Sequence, residues 1–340
     1  MNNFFRDKKI LVTGGVGSIG KELVRRLIRM DPAIVRIFDN NETGLFDLDR
    51  ELRSETVRIL IGDIRDRERL IMAFDDIDIV FHAAALKHVP LCEYNPFDAV
   101  KTNVIGTQNV LDAALIAGVE KVINVSTDKA VSPTNVMGAT KLLAERLTIS
   151  ANYYAGNKKT IFSSVRFGNV LNSRGSVIPI FRQQIRDGGP VTVTHQKMTR
   201  FFMDIPAASD LIIRAAQIAQ GREIFILKMP AIRIMDLARV MIQDLASSYG
   251  HRPQDLRIKI VGKRDGEKLY EELMSDDEAE RAWESDDMFM ILPRILSYDE
   301  PFKYPVDPLF RKTRVREFSS HNTRILTPEE IREILTAVLS

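Results

Sequence analysis

The sequence predicts an α/β fold: a doubly wound parallel sheet with helices on both faces and a smaller C-terminal substrate-binding lobe. Three observations carry that reading. Short runs rich in Ile and Val recur at 10–13, 35–39, 57–61, 79–83, 122–126 and 161–165. The stretches between them have helical spacing, as in Leu23, Val24, Leu27 and Ile28, or Val104, Val110, Leu111, Ala114 and Leu115. Continuous apolar strands alternating with helices fit a parallel sheet buried on both sides. Lastly, a glycine-rich turn, Thr13-Gly14-Gly15-Val16-Gly17-Ser18-Ile19-Gly20, joins the first strand to the first helix.

After about residue 168 the rhythm changes. Gly, Pro and Ser punctuate 169–190, a helix is predicted over 207–219, a strand over 223–227 and another helix over 235–247, while 264–287 is charged and loop-rich. The expected organisation is a nucleotide-binding domain over 1–168, with roughly 200–228 returning to it. Residues 169–199 and 229–340 form the substrate-binding lobe and tail.

Composition narrows the function class. With 340 residues, 45% apolar and 28% charged, the chain reads as an ordinary globular protein. Its 48 basic and 46 acidic side chains leave a net charge of +2, too weak a field to suggest nucleic acid or a membrane surface as partner. A phosphorylated ligand must therefore be held by a local cluster. Cys92 is the only cysteine, so an internal disulfide and a cysteine metal site are excluded, and it reads as an idle thiol. His82, His88, His195, His251 and His321 show no ligand spacing, so no metal is expected. No signal-like segment and no apolar run long enough to span a bilayer occurs, which makes cytoplasmic the expectation.

At the glycine turn, Gly14, Gly17 and Gly20 allow a tight bend and close backbone approach to a pyrophosphate. Ser18 and Ile19 open the helix whose free N–H groups and dipole favour an anion. Asp39 ends the second strand, 39 − 20 = 19 residues after Gly20, the distance expected for an acid on the adenosine ribose diol. It would repel a 2′-phosphate and no Lys or Arg follows it in Asn40-Asn41-Glu42, so NAD is expected rather than NADP. Asp63 and Ile64 after the third strand could cap the adenine; Asp63 reads equally as a helix N-cap before 65–70.

The Gly-x-x-Gly-x-x-Gly spacing resembles the extended short-chain dehydrogenase/reductase class, whose fold is Rossmann-type. So do His82-Ala83-Ala84-Ala85, where Ala83 and Ala84 let backbone pass near the cofactor, and Asn103 within Lys101-Thr102-Asn103-Val104-Ile105-Gly106-Thr107. The class places a Tyr four residues before a Lys that lowers the tyrosine pKa and holds the nicotinamide ribose. Here Lys141 is present, but the tyrosine position is Met137. A thioether carries no proton, so the usual base is missing.

Thr127-Asp128-Lys129, at the carboxyl end of the fifth strand, points to a subgroup. With Ala83-Ala84-Ala85-Leu86-Lys87-His88-Val89-Pro90, Arg166-Phe167-Gly168-Asn169-Val170, Ser173-Arg174-Gly175-Ser176-Val177-Ile178-Pro179, Met198-Thr199-Arg200-Phe201 and Gly266-Glu267-Lys268-Leu269-Tyr270-Glu271-Glu272, the chain resembles the CapD-like UDP-N-acetylglucosamine 4,6-dehydratases nearly end to end. It is similar to their short soluble branch, and several branches carry Met at this place.

That resemblance implies a UDP-sugar substrate, UDP-N-acetylglucosamine or close to it. It also implies C4 oxidation by NAD, loss of water across C5 and C6, and hydride return to C6. Asp128 would take the C4 proton and later deliver it to the C6 oxygen, with Thr127 on the C4 oxygen. Lys129 would be the C5 base and must be neutral; Lys141, the nicotinium ring and burial are expected to push its pKa down. Lys87 and His88 would flank the sugar, Asn169 and Val170 line the passage to the diphosphate, and Arg174, Arg200 and Arg264 bind phosphate. Asn103, at a position where the class has a structural Asn near the site, is placed with Ser176 and Glu267 in the same expected substrate site. Helices near 97–118 and 138–154 form a shared four-helix interface in this class, which implies a homo-oligomer. Two alternatives stay open: another nucleotide-sugar enzyme such as an epimerase, and a non-catalytic NAD-binding protein. Retention of Asp128, Lys129 and Lys141 argues against the second, and the Thr-Asp-Lys turn against simple 4-epimerisation.

Overall fold

The computed structural model describes residues 4–156, 159–171, 176–293 and 307–339. The apolar runs become β1 (Lys9–Thr13), β2 (Ile34–Asp39), β3 (Val57–Ile61), β4 (Ile79–His82), β5 (Lys121–Val125) and β6 (Ile161–Arg166). Between them lie α1 (Ser18–Ile28), α2 (Glu42–Leu52), α3 (Arg67–Phe74), α4 (Val89–Tyr94), α5 (Pro96–Ala99), a π-helical segment (Val100–Gly106), α6 (Thr107–Ala117) and α7 (Val136–Tyr154). The chain continues through β7 (Asn169–Val170), α8 (Val177–Arg186), β8 (Val191–Val193), β9 (Thr199–Met203), α9 (Ile205–Ile218) and β10 (Ile224–Leu227). Then come β11 (Ala231–Arg233), α10 (Ile234–Leu245), β12 (Ile258–Ile260), β13 (Glu272–Met274), α11 (Asp276–Ala279), β14 (Ala282–Glu284), β15 (Met288–Ile291), β16 (Arg311–Lys312), β17 (Phe318–Ser319) and α12 (Pro328–Leu339).

The main sheet has the order β16-β14-β15-β10-β6-β5-β4-β1-β2-β3. From β3 to β10 every pairing is parallel; β15, β14 and β16 add antiparallel strands at one edge. Ile10, Leu11, Val12, Val80, Phe81, Val122 and Ile123 are fully buried, as strands covered on both faces require. The strand order reverses between β1 and β4, and the carboxyl ends at that crevice are where ligands bind in such sheets.

A second core, including Phe181, Ile185, Leu237, Met241, Ile331 and Leu335, belongs to the smaller lobe. It lies with the sheets β11-β9-β7 and β12-β8. The division of the chain is more interleaved than the sequence reading has it. Besides β10, the stretch assigned to the lobe gives β14, β15 and β16 to the main sheet. Met288, Phe289, Met290 and Ile291 are all buried there, so their apolar run serves the first core.

The reading of Asp63 as a helix cap is corrected: α3 begins at Arg67, and Asp66 caps it by accepting from the Arg69 N–H. Among the described residues no helix is long and apolar enough to cross a membrane.

Candidate active site

The glycine turn is built for close approach. Gly14 has φ +69°, and a Cβ there would lie 2.6 Å from the Ala84 nitrogen. A Cβ on Gly20 would lie 2.2 Å from the Gly14 carbonyl oxygen. Gly17 is the N-cap of α1 and brings no side chain to it, so the N–H groups of Ser18 and Ile19 are left to an anion. Asp39 accepts from Val16 N at 3.1 Å and Asn41 N at 3.0 Å, which ties the end of β2 to the glycine turn. These residues fit a dinucleotide: a cradle that a Cβ would fill, an uncapped helix start and an acid at the second strand end.

Asp63, salt-bridged to Arg65 at 2.6 Å and within 3.3 Å of the Asn40 amide, borders that edge; its carboxyl is held below the usual range chiefly by the Arg65 hydrogen bond. Ile64 is buried, and its side chain occupies the space a Cβ on Gly106 would need.

Behind Ala83 and Ala84 a polar chain fixes the layer. His82 Nδ1 lies 2.7 Å from Thr13 Oγ1 and Nε2 lies 3.0 Å from Thr107 Oγ1. Thr107 spends its hydroxyl hydrogen on the Asn103 carbonyl, so Nε2 is the protonated nitrogen and Nδ1 accepts from Thr13. Burial, with Lys141 nearby, pushes His82 down to about 3, and it stays neutral.

Asn103 is a correction to the substrate assignment. It accepts from Leu86 N at 2.8 Å and donates to the Leu86 carbonyl and Thr140 Oγ1, both at 3.0 Å. Both amide hydrogens are used, so it clamps the 83–88 loop against α7 instead of reaching the cleft. Lys87 and His88 emerge exposed beyond that clamp.

The candidate reacting residues Thr127, Asp128 and Lys129 cluster where β5 ends. Thr127 caps a single 3₁₀ turn, Asp128–Ala130, with Asp128 fully buried and Lys129 partly so. Asp128 Oδ1 accepts from Thr127 Oγ1 at 2.9 Å and Lys129 Nζ at 2.8 Å. Asp128 Oδ2 is buried and has no partner among the described residues. A buried acceptor left open costs about 1–3 kcal/mol, so this oxygen has capacity for a further hydrogen-bond donor. Lys129 Nζ also reaches Asn169 Oδ1 at 3.3 Å, from β7, next to buried Val170.

On α7, Met137 is buried with Cys92 and Ala99 in a small apolar cluster. Gly138 follows because a Cβ there would meet the Lys129 carbonyl at 2.3 Å. One turn on, buried Lys141 donates to the Val125 carbonyl at 2.7 Å, and burial lowers it to about 8 against the pull of Glu145. Burial raises the Cys92 thiol, as suits an inert one.

The expectation for Lys129 is overturned. Burial lowers its pKa, but Asp128 and Glu271 outweigh it and the net shift is upward. Glu271, 4.0 Å from Lys129 Nζ, is the charged neighbour the sequence reading missed. Its only sequence signal is its place in the 266–272 motif.

A cleft of about 700 Å³ opens beside this turn, lined by Ser132, Thr134 and 263–270. Arg264 is exposed there, free to face an anionic ligand. Arg200 is turned inward instead: it donates to the Thr199, Lys268 and Leu269 carbonyls and lies near Glu267 and Glu271, so it braces the cleft wall. Glu267 accepts from Thr194 Oγ1 and Arg264 N, which makes it a brace of the same loop. Ser176 starts α8 with its hydroxyl buried and without a partner among the described residues. Arg174 lies outside the described residues. Among those described, no group of three or more His, Cys, Asp or Glu could hold a metal.

Known proteins match over the whole length. The chain is 56% identical to an uncharacterized membrane protein of Methanocaldococcus jannaschii, covering 99% of this chain and 98% of that one. It is 39% identical to a UDP-N-acetylglucosamine 4,6-dehydratase (inverting) of Campylobacter jejuni, covering 97% and 98%. At the same identity it matches a UDP-glucose 4-epimerase of Rickettsia bellii, covering 97% and 96%. The solved structure of Pen from Bacillus thuringiensis superposes with a TM-score of 0.90 at 45% identity, covering 98% of both chains. The model of the polysaccharide biosynthesis protein family takes in residues 10–293, which include the glycine turn, the Thr-Asp-Lys turn and most of both cores, and the chain belongs to that family, on an extended short-chain dehydrogenase/reductase fold.

Proposed function

We propose that this chain is an NAD-dependent UDP-N-acetylglucosamine 4,6-dehydratase, forming a UDP-4-keto-6-deoxy-N-acetylhexosamine for surface polysaccharide or glycan synthesis. The observation that carries the reading is the open Oδ2 of fully buried Asp128, on a carboxylate already bonded to Thr127 and Lys129. Gly14, Gly17, Gly20 and Asp39 would hold NAD, which would supply the hydride acceptor for C4 and the hydride donor for C6.

The protein's own groups move the protons. Asp128 Oδ2 takes the C4 hydroxyl proton and later delivers it to the departing C6 oxygen, while Thr127 steadies the C4 oxygen. Lys129 removes the C5 proton. Lys141 holds the nicotinamide ribose, and Arg264 with the cleft loop receives the diphosphate. One carboxylate thus covers the role that Met137 cannot fill, and the apolar cluster around Met137 keeps water from that side.

Proton NMR of the purified protein with UDP-N-acetylglucosamine in deuterated water tests this directly. A new C6 methyl signal with deuterium at C5 is expected, and Asp128→Asn is expected to slow its appearance by about 10²–10⁴-fold. The epimerase relative supports one rival. Inversion at C4 with C6 intact would establish that rival and end the dehydratase reading. Near-normal C4 oxidation in Asp128→Asn would end the role given to Asp128.

A further inference from the structure

Glu271 holds no role above, yet it is buried against the catalytic turn. Its backbone is pinned by the C-terminal segment: Glu271 N donates to Ser320 Oγ at 3.0 Å, and Ser320 N donates to the Glu271 carbonyl at 2.8 Å. The side chain therefore extends from a fixed support. Oε1 stands 4.0 Å from Lys129 Nζ and 3.7 Å from Arg200 Nε. Oε2 is buried and has no partner among the described residues. The charged groups facing it are Lys129 and Asp128 from the catalytic turn, Arg200 from β9 and Lys268 from its own loop. Burial pushes this carboxyl up, Lys129 pulls it down and Asp128 pushes it up again; Arg200 and Lys268 oppose, and the net shift is upward.

To act as the base at C5, Lys129 has to be a neutral amine, but at rest it is held as an ammonium by Asp128 and Glu271. An ammonium–carboxylate pair and its amine–carboxylic acid form carry the same net charge. Excluding water disfavours the charged form of both partners, so a filled cleft shifts the balance toward the neutral pair.

We propose that Glu271 is the internal acceptor of the Lys129 proton, a positioning residue that turns Lys129 from ammonium into base when substrate fills the cleft. This rests on the dehydratase reading. An N–H bond of Lys129 breaks and its electron pair stays on Nζ; an O–H bond forms on Glu271 Oε1; no charge enters or leaves. Lys129 then takes the C5 proton and gives a proton back to C5 as hydride reaches C6. Glu271 finally returns its proton to Nζ, which restores the resting pair. The gap closes to hydrogen-bonding distance with about 1 Å of movement of the Lys129 ammonium, which in the resting site is held by Asp128 Oδ1 at 2.8 Å and Asn169 Oδ1 at 3.3 Å.

The test compares wild type with Glu271→Gln, which keeps the shape and cannot take the proton. The Lys129 midpoint is followed by NMR of labelled lysine Nζ in the full chain, without substrate. It is expected to fall by about one pH unit or more when the neighbouring charge is lost. In single turnovers with UDP-N-acetylglucosamine, the variant should reduce bound NAD at close to the wild-type rate. Elimination should then slow by about 100-fold, so that absorbance at 340 nm persists. Glu271→Asp, with the charge drawn back by one methylene, should restore both readouts in part, and it serves as the folded comparison if the Gln variant misfolds. An unmoved Lys129 midpoint overturns the proposal, as does a slowing of oxidation and elimination together. A wild-type protein that yields no 6-deoxy product sinks the dehydratase reading instead, and the substrate-free midpoint still decides the Glu271–Lys129 pairing.

Discussion

Lys141 shows how one side chain sets a pH limit. Burial lowers its ammonium to about 8 from an ordinary 10.5, with Glu145 resisting. A base with a lowered pKa loses its charge as pH rises through that value, and with it the cationic hold on a ribose. The expected kcat/KM is level up to pH ~8 and falls about tenfold per unit above it. Steady-state rates on UDP-N-acetylglucosamine across pH 6–10 check this, and a flat profile to pH 10 would remove Lys141 from the site. Stability runs the other way at this residue. Between 8 and 10.5 the unfolded chain binds one more proton here than the folded one, so the Lys141 contribution to folding rises with pH across that window. Thr127, Asp128, Lys129 and Lys141 are legible in the sequence because a strand end and one helical turn bring them together. Glu271 and the inward turn of Arg200 are not, since they depend on contacts between segments far apart in the chain, which periodicity does not report. The misjudged charge state of Lys129 has two sources: the pull of the adjacent Asp128, which the sequence reading left out of the balance, and that of Glu271, which it did not see.

Between elements, the fully buried Arg166 is the tie. From β6 it bonds both oxygens of Glu145 on α7, both of Glu278 on α11 and the Leu273 carbonyl on β13. Its two carboxylates raise the guanidinium pKa despite burial, so it is always charged. Arg166→Met would leave two carboxylates buried and uncompensated, a cost of about 3–5 kcal/mol. Urea unfolding should show that loss, with protection from hydrogen exchange falling first in β13 and α11; a loss under 1 kcal/mol would mean the carboxylates find water. The first six strands are legible because each is a continuous apolar run next to a helical period. β14 and β16 are not: they are three and two residues long, among charged neighbours, and Trp283 finds its place by pairing with Met290 on one side and Lys312 on the other. The π-helical segment at Val100–Gly106 is equally silent in sequence, although it aims Asn103 at Leu86.

For the molecule as a whole, the surface of α4 to α7 stands out. Leu91, Tyr94, Phe97, Leu143 and Tyr154 are exposed there, Tyr94 by 88% and Phe97 by 81%. Several large apolar side chains exposed on neighbouring helices favour a partner, and a second copy of the chain matches the homo-oligomer that the class resemblance implies. Light scattering should give at least a dimer, and Tyr94→Asp with Phe97→Asp should yield a folded monomer. A wild-type monomer at micromolar concentration would end that expectation.

The return of Met288–Ile291 to the outer edge of β10 also bears on how the protein is made. A ribosome extrudes β1 to β6 and β10 well before that strand exists, so the nascent sheet waits with an open, hydrophobic edge. Ending translation before Met288 would leave β10 as a template for pairing with other chains. Production of this protein is therefore vulnerable to aggregation in the interval after the cofactor cradle is complete and before the strand that covers β10 emerges.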